Sequence, residues 1–577
     1  MNIVKYHKLL LVLCLSILCL MNGHAQISST RQNLDDFSLK KGVTANGGIS
    51  FSNELFKGSD SLVTRDPYSF YLNGNLNINV CGIAMPFSFS LSNTQRSFMQ
   101  PFNRFKLDPS YKWVHLLLGT SSLSYSPYTL AGHTISGAGV ELTPGNWYIS
   151  GIYGRLKKAV EYDPLVDNIN TIAYKRMGYA AKVGYNSEKG SYMVTFFHGE
   201  DDENSLKQMI PVEGYITPKR NTAVSLSVNQ TFLKYFFIAG EYALSAYNSN
   251  IMNDDGIEVE SSSLIDMWGK ENADKSVDAY NLSLGYQGKI WGLSVKYEHV
   301  DPYYSTLGGY CFDDDRENYT IVPNVKLLEG KLNFSGNFGL QYDNLDNMKQ
   351  SDNKRLIYSA NLSYASGNIW SGGVNFSNFK THTRMKPESY PFMRDALDSL
   401  NFYQVSNSLS AFSSFLFGDK ESPNNITVSA SMQKAKSLTE DVQTSYNDFY
   451  NANTSYSKTY NAIKLSWSAL FNFNYSDVTN MNTYYYGPGA RITKSFVQDK
   501  ISTSFSTICN MNQVEGREMG GMLNSQLDAT YTIKAKNEKL GSHSFSLDGN
   551  FTRYLGSTAT STNVYELLAR ITYSANF

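Results

Sequence analysis

Histidine side chains are the first place to look for catalysis, because they exchange protons near neutral pH. The chain has eight histidines, and those beyond residue 25 are His115, His133, His198, His299, His382 and His543. None stands in a recognisable nucleophile motif, whereas acyl transfer needs Ser, His and an orienting polar group together. His299 shares its side-chain parity with Trp291 and Tyr297, which favours a place at a membrane interface. We therefore predict no catalytic residue and no enzyme.

Acidic clusters are the second feature with possible chemistry. They are Asn253-Asp254-Asp255-Gly256-Ile257-Glu258 and Asp313-Asp314-Asp315-Arg316-Glu317. Carboxylate oxygens can hold Ca²⁺, but neither cluster has the full spacing of a calcium loop. A cation that bridges lipopolysaccharide phosphates is one alternative, and plain solvated loops are the other. Cys81, Cys311 and Cys509 are widely spaced and odd in number, so the sequence predicts no metal site, no cofactor and no disulfide framework.

A basic, aromatic stretch forms a third candidate. Residues 95–106 read QRSFMQPFNRFK and combine Arg96 and Arg104 with phenylalanines and no acids. These arginines are placed to contact an anionic or aromatic solute inside a channel. Anchoring to lipid headgroups remains an equal alternative.

The elements that position these residues alternate with a period of two. Residues 70–80, 331–342 and 523–533 place apolar side chains on one face and Asn, Ser, Thr and Gln on the other. The last residues, 565–577, repeat this pattern. A strand of this kind stands between two solvents, as in a membrane barrel with lipid outside and water inside. Most runs are near the ~9–11 residues that cross a bilayer at a tilt.

The connections tend to alternate between short turns and long polar loops. Thr143-Pro144-Gly145-Asn146 and Ser187-Glu188-Lys189-Gly190 are tight turns, whereas 95–110, 200–219 and 301–318 are long. Short periplasmic turns and long extracellular loops are typical of up-and-down transmembrane barrels. Counting back from the C-terminus predicts an all-β, antiparallel barrel of roughly 22–26 strands.

Segment composition predicts three parts. Residues 1–25 read as a secretory signal peptide, with Lys5 and Lys8 before a short apolar run and Gly23-His24-Ala25 at its end. Residues 26–42 form a short periplasmic lead, and 43–577 form the barrel. Beyond the signal no run approaches ~18 apolar residues, so no transmembrane helix is expected. The net charge of −1 excludes a strong field that would attract nucleic acid.

The C-terminal LLARITYSANF resembles the assembly signal of bacterial outer-membrane β-barrel proteins, with Tyr573 and Phe577 as its aromatic positions. The resemblance implies an outer-membrane location in a Gram-negative cell envelope, contact with lipid and lipopolysaccharide, and recognition by the barrel-assembly machinery. As the last strand of the alternating series, this segment is expected to close on the one near residue 43. The lead is too short for the plug of a TonB-dependent transporter, for the POTRA repeats of assembly insertases, or for a passenger domain.

One irregular region spans residues 111–160. Its succession of YKWVHLLLG, TSSLSYSPYTLAGHTISGAGVEL and NWYISGIYGRLKK resembles the early strands of porin-like export and uptake barrels. In such barrels the equivalent connection folds into the lumen. The resemblance implies a constriction containing Tyr125, Tyr128 and His133, with Pro127 and Leu130 beside them. An ordinary hairpin is the alternative.

The charges expected to face the lumen carry both signs, so no strong ion selectivity is predicted. They are Lys182, Glu241, Lys296, Glu298, Arg355, Asp528, Asp548 and Arg570. A barrel this wide is expected to be filled by infolded loops or by another polypeptide. The expected function is a porin-like channel for polar solutes. The alternative is a non-transporting subunit or scaffold of an export, assembly or lipid-handling complex.

Overall fold

The structure is a computed structural model. It describes residues 42–59, 65–93, 103–162, 172–207, 216–252, 275–309, 314–348, 354–367, 369–381, 404–437, 446–478, 481–534, 541–556 and 564–577. The signal peptide, nearly all of the lead, Arg96, Cys311 and the 253–258 acidic cluster lie outside these residues.

The described chain is almost entirely β-strand, as the period-two pattern predicts. The strands are β1 (Val43–Gly58), β2 (Tyr68–Val80), β3 (Ile83–Ser92), β4 (Arg104–Leu107), β5 (Ser110–Tyr111), β6 (Val114–Ser124), β7 (Ala131–Leu142), β8 (Trp147–Lys157), β9 (Lys175–Asn186), β10 (Gly190–Asp202), β11 (Arg220–Phe232), β12 (Phe236–Asn248), β13 (Lys275–Gln287), β14 (Trp291–Val300), β15 (Arg316–Leu327), β16 (Leu332–Tyr342), β17 (Lys354–Ala365), β18 (Trp370–Thr381), β19 (Gln404–Phe417), β20 (Asn424–Ser437), β21 (Tyr446–Tyr460), β22 (Leu465–Val478), β23 (Met481–Phe496), β24 (Ile501–Val514), β25 (Arg517–Lys534), β26 (Ser542–Gly556) and β27 (Tyr565–Asn576).

Neighbouring strands pair antiparallel, and the sheet closes on itself. β4 and β5 together fill one position between β3 and β6, which makes a barrel of 26 strands. β27 pairs with β1 from Gly48↔Asn576 to Gly58↔Glu566. The antiparallel barrel, the upper end of the predicted strand count and the predicted closing pair are therefore confirmed.

The outer wall is apolar around the circumference. Val194, Leu226, Leu284, Ile492 and Leu527 all point outward, and each is between 47% and 53% exposed. Such an exposed band would cost free energy in water and is stable against lipid tails. Among the described residues, no helix is long and apolar enough to cross a bilayer.

Two rows of contacting aromatic side chains border the apolar band. One row includes Trp147 against Tyr185, with ring centroids 5.3 Å apart. The other includes Tyr297 against Tyr319, with centroids 5.0 Å apart. Six residues separate the rows on several strands, for example Trp291 and Tyr297 on β14, or about 20 Å along the strand. Aromatic rows of this kind mark the two membrane–water interfaces of transmembrane barrels.

The inner wall divides into three parts, which we name by their contents. The filled sector, β6–β15, carries two infolded segments described below. The neutral sector, β16–β24, presents mostly Asn, Ser, Thr and Gln, as the registers place them. The seam sector, β25 through β27 and β1 to β3, carries Asp528, Asp548 and Arg570 inward, with Glu54 opposite Arg570.

The lumen-facing charges mostly follow the predicted parity. Lys182, Glu241, Lys296 and Glu298 face inward in the filled sector, because each is in register with an inward neighbour. In the seam sector, Arg570 Nη2 lies 2.6 Å from Glu54 Oε2, and Arg65 also pairs with this carboxylate. These pairs brace the wall across the closing strands. The side chain of Arg355 lies outside the described part of β17.

Three details differ from the sequence expectations. First, the predicted loop 95–110 contains β4 and the first of the two residues of β5, and β7 begins at Ala131, so Arg104 and His133 are strand residues rather than loop residues. Second, apart from β4 and β5, the strands run from 10 to 18 residues, and many are longer than the ~9–11 residues that a bilayer core requires. Third, only two residues separate β22 from β23 and β24 from β25, at the end of the barrel that otherwise carries the long loops.

Candidate functional site

Two connections fold into the barrel and pack on its inner wall. The first inner segment, Tyr125–Leu130, joins β6 to β7, and the second inner segment, Asp301–Gly309, follows β14. Tyr128, Leu130, Tyr304 and Leu307 are each 6% exposed or less. Most barrel side chains are only half-buried, so these segments create the principal hydrophobic core of the described chain.

One part of that core surrounds the ends of the first inner segment. Tyr125 and Leu130 pack with inward-facing residues of the wall and with Leu307 of the second inner segment; the wall residues are Ile135, Ile152, Leu156, Ala180 and Phe197. Apolar residues on the inner face of a water-filled barrel would be unfavourable. Their presence on β7–β10 is explained by the segments that cover them.

A second cluster surrounds the middle of both segments. Tyr128 and Tyr304 pack with Ala243, Ala279 and Val300. The two tyrosine rings meet edge to face, with centroids 6.2 Å apart, an arrangement that aromatic quadrupoles favour. The small alanines on β12 and β13 leave room for the rings against the wall.

The two inner segments also bind each other directly. The Tyr304 hydroxyl donates to the Tyr128 carbonyl at 2.9 Å, and the Thr306 hydroxyl donates to the Thr129 carbonyl at 2.7 Å. The backbone amide of Ala131 donates to the Gly308 carbonyl at 2.9 Å. A Cβ on Gly308 would lie 2.4 Å from the Thr129 oxygen, so this close approach requires glycine.

Charged side chains of the wall hold the first inner segment in place. The Lys182 ammonium donates to the Tyr125 carbonyl at 2.7 Å, and the Ser126 hydroxyl donates to the Glu241 carboxylate. The Tyr125 and Ser150 hydroxyls share a hydrogen bond. Hydrogen bonds to charged groups are the stronger kind, and they fix both the position and the direction of the segment.

Glu298 connects the same segment to β15. Its carboxylate accepts hydrogen bonds from the Tyr128 hydroxyl at 3.0 Å, from Asn318 Nδ2 at 3.0 Å and from Arg316 at 3.3 Å. Asn281 Nδ2 donates to the Tyr128 hydroxyl at 3.1 Å. A half-buried carboxylate is stable here because a cation and two neutral donors compensate its charge.

The second inner segment is anchored by an amide and a hydroxyl of the wall. The Leu307 backbone amide donates to Asn221 Oδ1 at 3.1 Å, and the Ser245 hydroxyl donates to the Ser305 carbonyl at 2.7 Å. Asn221 Nδ2 in turn donates to the Ser245 hydroxyl at 2.7 Å. Asn221 and Ser245 are completely buried, so this network also satisfies polar groups that water does not reach.

The buried tyrosines of these segments resist ionisation. Burial raises the pKa of Tyr125 to about 12. Burial and the nearby charge of Glu298 raise the pKa of Tyr128. Burial and the charge of Glu241 raise the pKa of Tyr304. All three hydroxyls are therefore neutral hydrogen-bond donors at physiological pH.

The structure brings together three of the five residues predicted for a constriction. Tyr125 and Tyr128 form the first inner segment, and His133 is completely buried beside it on β7, with Nδ1 3.0 Å from the Thr134 carbonyl oxygen. Arg104 faces the lumen from β4 in register with Ser90, apart from the inner segments. Arg96 lies outside the described residues. Narrowing of a conducting lumen by these residues remains a prediction.

The second inner segment lies within residues 301–318, which the sequence predicts to be a long polar loop. One signal was available. Residues 302–309, PYYSTLGG, contain no charge and two adjacent tyrosines, an unusual composition for a solvated loop. The position of Tyr304 against Tyr128, which is 176 residues away, depends on barrel closure and could not be read from local pattern.

The described part of the second acidic cluster has a structural role. The Asp315 carboxylate accepts hydrogen bonds from the backbone amides of Asn344 at 3.0 Å and Leu345 at 2.8 Å. It thereby ties β15 to the connection after β16. Among the described residues, no group of three or more His, Cys, Asp or Glu side chains is placed to hold a metal ion.

The closed sheet, the apolar outer wall and the polar inner wall define a large, porin-like transmembrane β-barrel. No protein-family model matches the chain, and no curated protein matches its sequence.

Several solved barrel structures align with the chain at low similarity. OccAB3 of Acinetobacter baumannii is 9% identical with a TM-score of 0.27, and the alignment covers 67% of this chain and 99% of that one. Pseudomonas aeruginosa OpdK, solved with vanillate, is 8% identical with a TM-score of 0.29, over 63% and 93%. The translocation pore of the P pilus usher PapC is 11% identical with a TM-score of 0.26, over 92% and 99%. These likenesses are too distant to assign a function.

Proposed function

We propose that the chain is an outer-membrane channel for polar solutes in a diderm bacterium, narrowed from one side by the two inner segments. The observation that carries this proposal is the contrast within the inner wall. The filled sector is covered by folded-in chain, whereas the neutral sector presents hydrogen-bonding side chains inward over nine strands. A wall of this composition is suited to water and to solutes that move with it.

The proposed membrane surroundings follow from the outer wall. The apolar band would contact lipid tails, and the aromatic rows would lie at the two interfaces. The end with long loops would face the outside and contact lipopolysaccharide, while the short turns would face the periplasm.

We also assign Tyr573 and Phe577 to recognition by the barrel-assembly machinery. Tyr573 lies on the outer face, where its ring centroid is 4.9 Å from that of Phe545. The backbone amide of Phe577 donates to the Gly47 carbonyl at 2.9 Å. An aromatic at this end of the last strand is accessible before closure, which suits it to a recognition step that precedes pairing with β1.

Planar-bilayer recording tests the channel directly. Purified, folded protein should give steady conductance steps in KCl, and heat-denatured protein should give none. Replacing Tyr303–Gly308 with a two-residue Gly-Ser link should raise the step size, because it removes most of one of the two inner segments. Absence of steps from folded protein would overturn the proposal. A step size equal to wild type in the shortened variant would show that the inner segments do not narrow the path.

A second candidate function rests on the width of the barrel. Twenty-six strands enclose a lumen wider than two short segments can fill. Such a barrel could hold another polypeptide as a subunit of an export, assembly or lipid-handling complex. Purification in mild detergent distinguishes the two functions: a stoichiometric partner together with no conductance supports the complex, and conductance of the isolated chain supports the channel.

A further inference from the structure

A cluster of asparagines lies on the neutral sector, away from both inner segments. We call it the asparagine patch, and it consists of Asn451, Asn453, Asn472, Asn474, Asn510 and Asn512 on β21, β22 and β24. The registers Asn451↔Asn474 and Asn453↔Asn472 place four of them side by side on two adjacent strands. All six face the lumen, because they alternate with outward residues such as Phe471 and Phe473.

The strand between β22 and β24 contributes no side chain at the middle of the patch. Gly487 on β23 is in register with Asn472, and it has no side chain to fill the space. β23 and β24 are not paired at Gly487 and Pro488, between the pairs Tyr486↔Met511 and Gly489↔Ile508. A Cβ on Gly487 would lie 1.7 Å from the Cys509 carbonyl oxygen, so the backbones approach closely here and exclude any larger residue.

An aromatic ring lies beside this glycine on the same face of β23. Tyr485 is in register with Asn474 on one side and with Asn512 on the other, so it faces the lumen within the patch. A half-buried ring next to hydrogen-bonding amides offers a solute both an apolar face and polar edges.

Part of the hydrogen-bonding capacity of the patch is unused by the protein. Asn453 Nδ2 donates to Asn451 Oδ1 at 2.6 Å, and Asn451 Nδ2 donates to Asn474. The side-chain oxygens of Asn472, Asn510 and Asn512 have no hydrogen-bond partner in the described structure. Asn472 and Asn510 are only 5% and 4% exposed. Buried amides without partners are unfavourable and are rare in folded proteins, so these side chains would gain hydrogen bonds by turning toward a solute in the lumen.

Charge defines which molecule suits the patch. On the described strands β19–β24, Arg491 is the one charged side chain that faces inward. A cation would lose its hydration there without gaining a counter-charge, and an anion would meet Arg491 alone. Hydroxyl groups both donate and accept hydrogen bonds, as carboxamides do, and the C–H face of a sugar ring packs against an aromatic side chain.

We propose that the asparagine patch binds neutral, hydroxyl-rich solutes of the carbohydrate class. The inference rests on the proposed channel function only in requiring that the solute reach the lumen. The patch would then be a selective binding site on the side of the lumen that the inner segments leave uncovered.

Calorimetry on the purified, detergent-solubilised full chain tests the site without requiring conductance. The probes are linear oligomers of two to six units of glucose, galactose, mannose and N-acetylglucosamine, with oligogalacturonate as the charged counterpart. At least one neutral series should bind saturably and more tightly than oligogalacturonate. The double variant N472A/N510A should weaken that binding at least tenfold. N453A, at a less buried member of the patch, provides a second variant if the double variant does not fold.

The matched control is N75A, which removes an exposed, inward-facing asparagine of β2 in the seam sector and should leave binding unchanged. Failure of every neutral series to bind folded protein, tighter binding of oligogalacturonate, or equal loss in N75A would overturn the proposal. Conductance without carbohydrate binding would overturn this inference and leave the channel. Binding without conductance would overturn the channel and leave this site.

Discussion

Glu298 shows how a single carboxylate can secure a folded-in segment. Its side chain is 15% exposed and ion-paired with Arg316, and it also accepts the Tyr128 hydroxyl. Glu298 therefore connects the first inner segment to the wall strands β14 and β15. The parity of Glu298 on β14 could be predicted from the sequence, because neighbouring residues alternate regularly. Its partner Tyr128 could not, because the contact spans 170 residues.

Glu298→Gln should loosen the first inner segment. Glutamine keeps the size but removes the charge that Arg316 pairs with, and bonds to charged groups contribute about 1.5–3 kcal/mol. Hydrogen–deuterium exchange of amides 125–131 should accelerate while the wall strands remain protected. Glu515→Gln, in an exposed turn after β24, is the matched control. Equal protection of amides 125–131 in wild type and E298Q would refute this role.

The inner segments are the element whose behaviour should depend on pH. The three buried tyrosines are neutral when the segments are docked, and their pKa values are raised. Because docking raises the pKa of each tyrosine, its full contribution to the stability of docking is present below pH ~10, the usual pKa of tyrosine. Above that pH the stabilisation falls by about 1.4 kcal/mol per pH unit for each tyrosine, until the pH reaches the pKa that the tyrosine has when docked. For Tyr125 that loss extends to a pH of about 12.

A difference titration checks this alkaline behaviour. Absorbance at 295 nm, which reports phenolate, is recorded against pH for the wild type and for Tyr125→Phe. The tyrosine missing from the variant should titrate at about 12. A missing group that titrates near ~10 would show that Tyr125 is in contact with water and that the first inner segment is not docked.

The closing strand is the second element with a measurable role. Phe577→Ala retains the backbone bonds to Gly47 but removes the aromatic ring. If the ring is the assembly signal, the variant should reach the outer membrane at several-fold lower yield, while its purified barrel should melt at the wild-type temperature. Ser574→Ala, an inward position on the same strand, is the control. Wild-type yield for F577A would eliminate the recognition role.

For the molecule as a whole, the local alternation of apolar and polar residues predicted most of the fold. Alternation alone predicted a closed barrel, its strand count and its closing pair, because each strand must separate lipid from water. The alternation failed as a guide where a strand is short and where protein, not water, covers the inner face. Arg104 lies on a short strand that shares its position with another, and only Lys106 and Leu107 of that strand pair on both sides. Apolar inward residues such as Phe197 also break the pattern, and only the folded inner segments explain them.

The sum of inner-wall charges predicts weak ion selectivity, and one arginine should control it. In the filled and seam sectors, several acids pair with bases across neighbouring strands, as Glu298 does with Arg316 and Glu54 does with Arg570. Arg491 differs, because it is exposed and donates to the Ser504 hydroxyl at 3.0 Å.

The reversal potential of the wild type in a tenfold KCl gradient should therefore lie close to zero, with a small preference for anions. Arg491→Glu should reverse that sign toward cations, because the new charge stands in a wall that has few others to offset it. Lys420→Glu, in the exposed turn between β19 and β20, makes the same change in charge outside the wall and should shift the potential much less. Equal shifts in the two variants would mean that ions do not pass along the neutral sector.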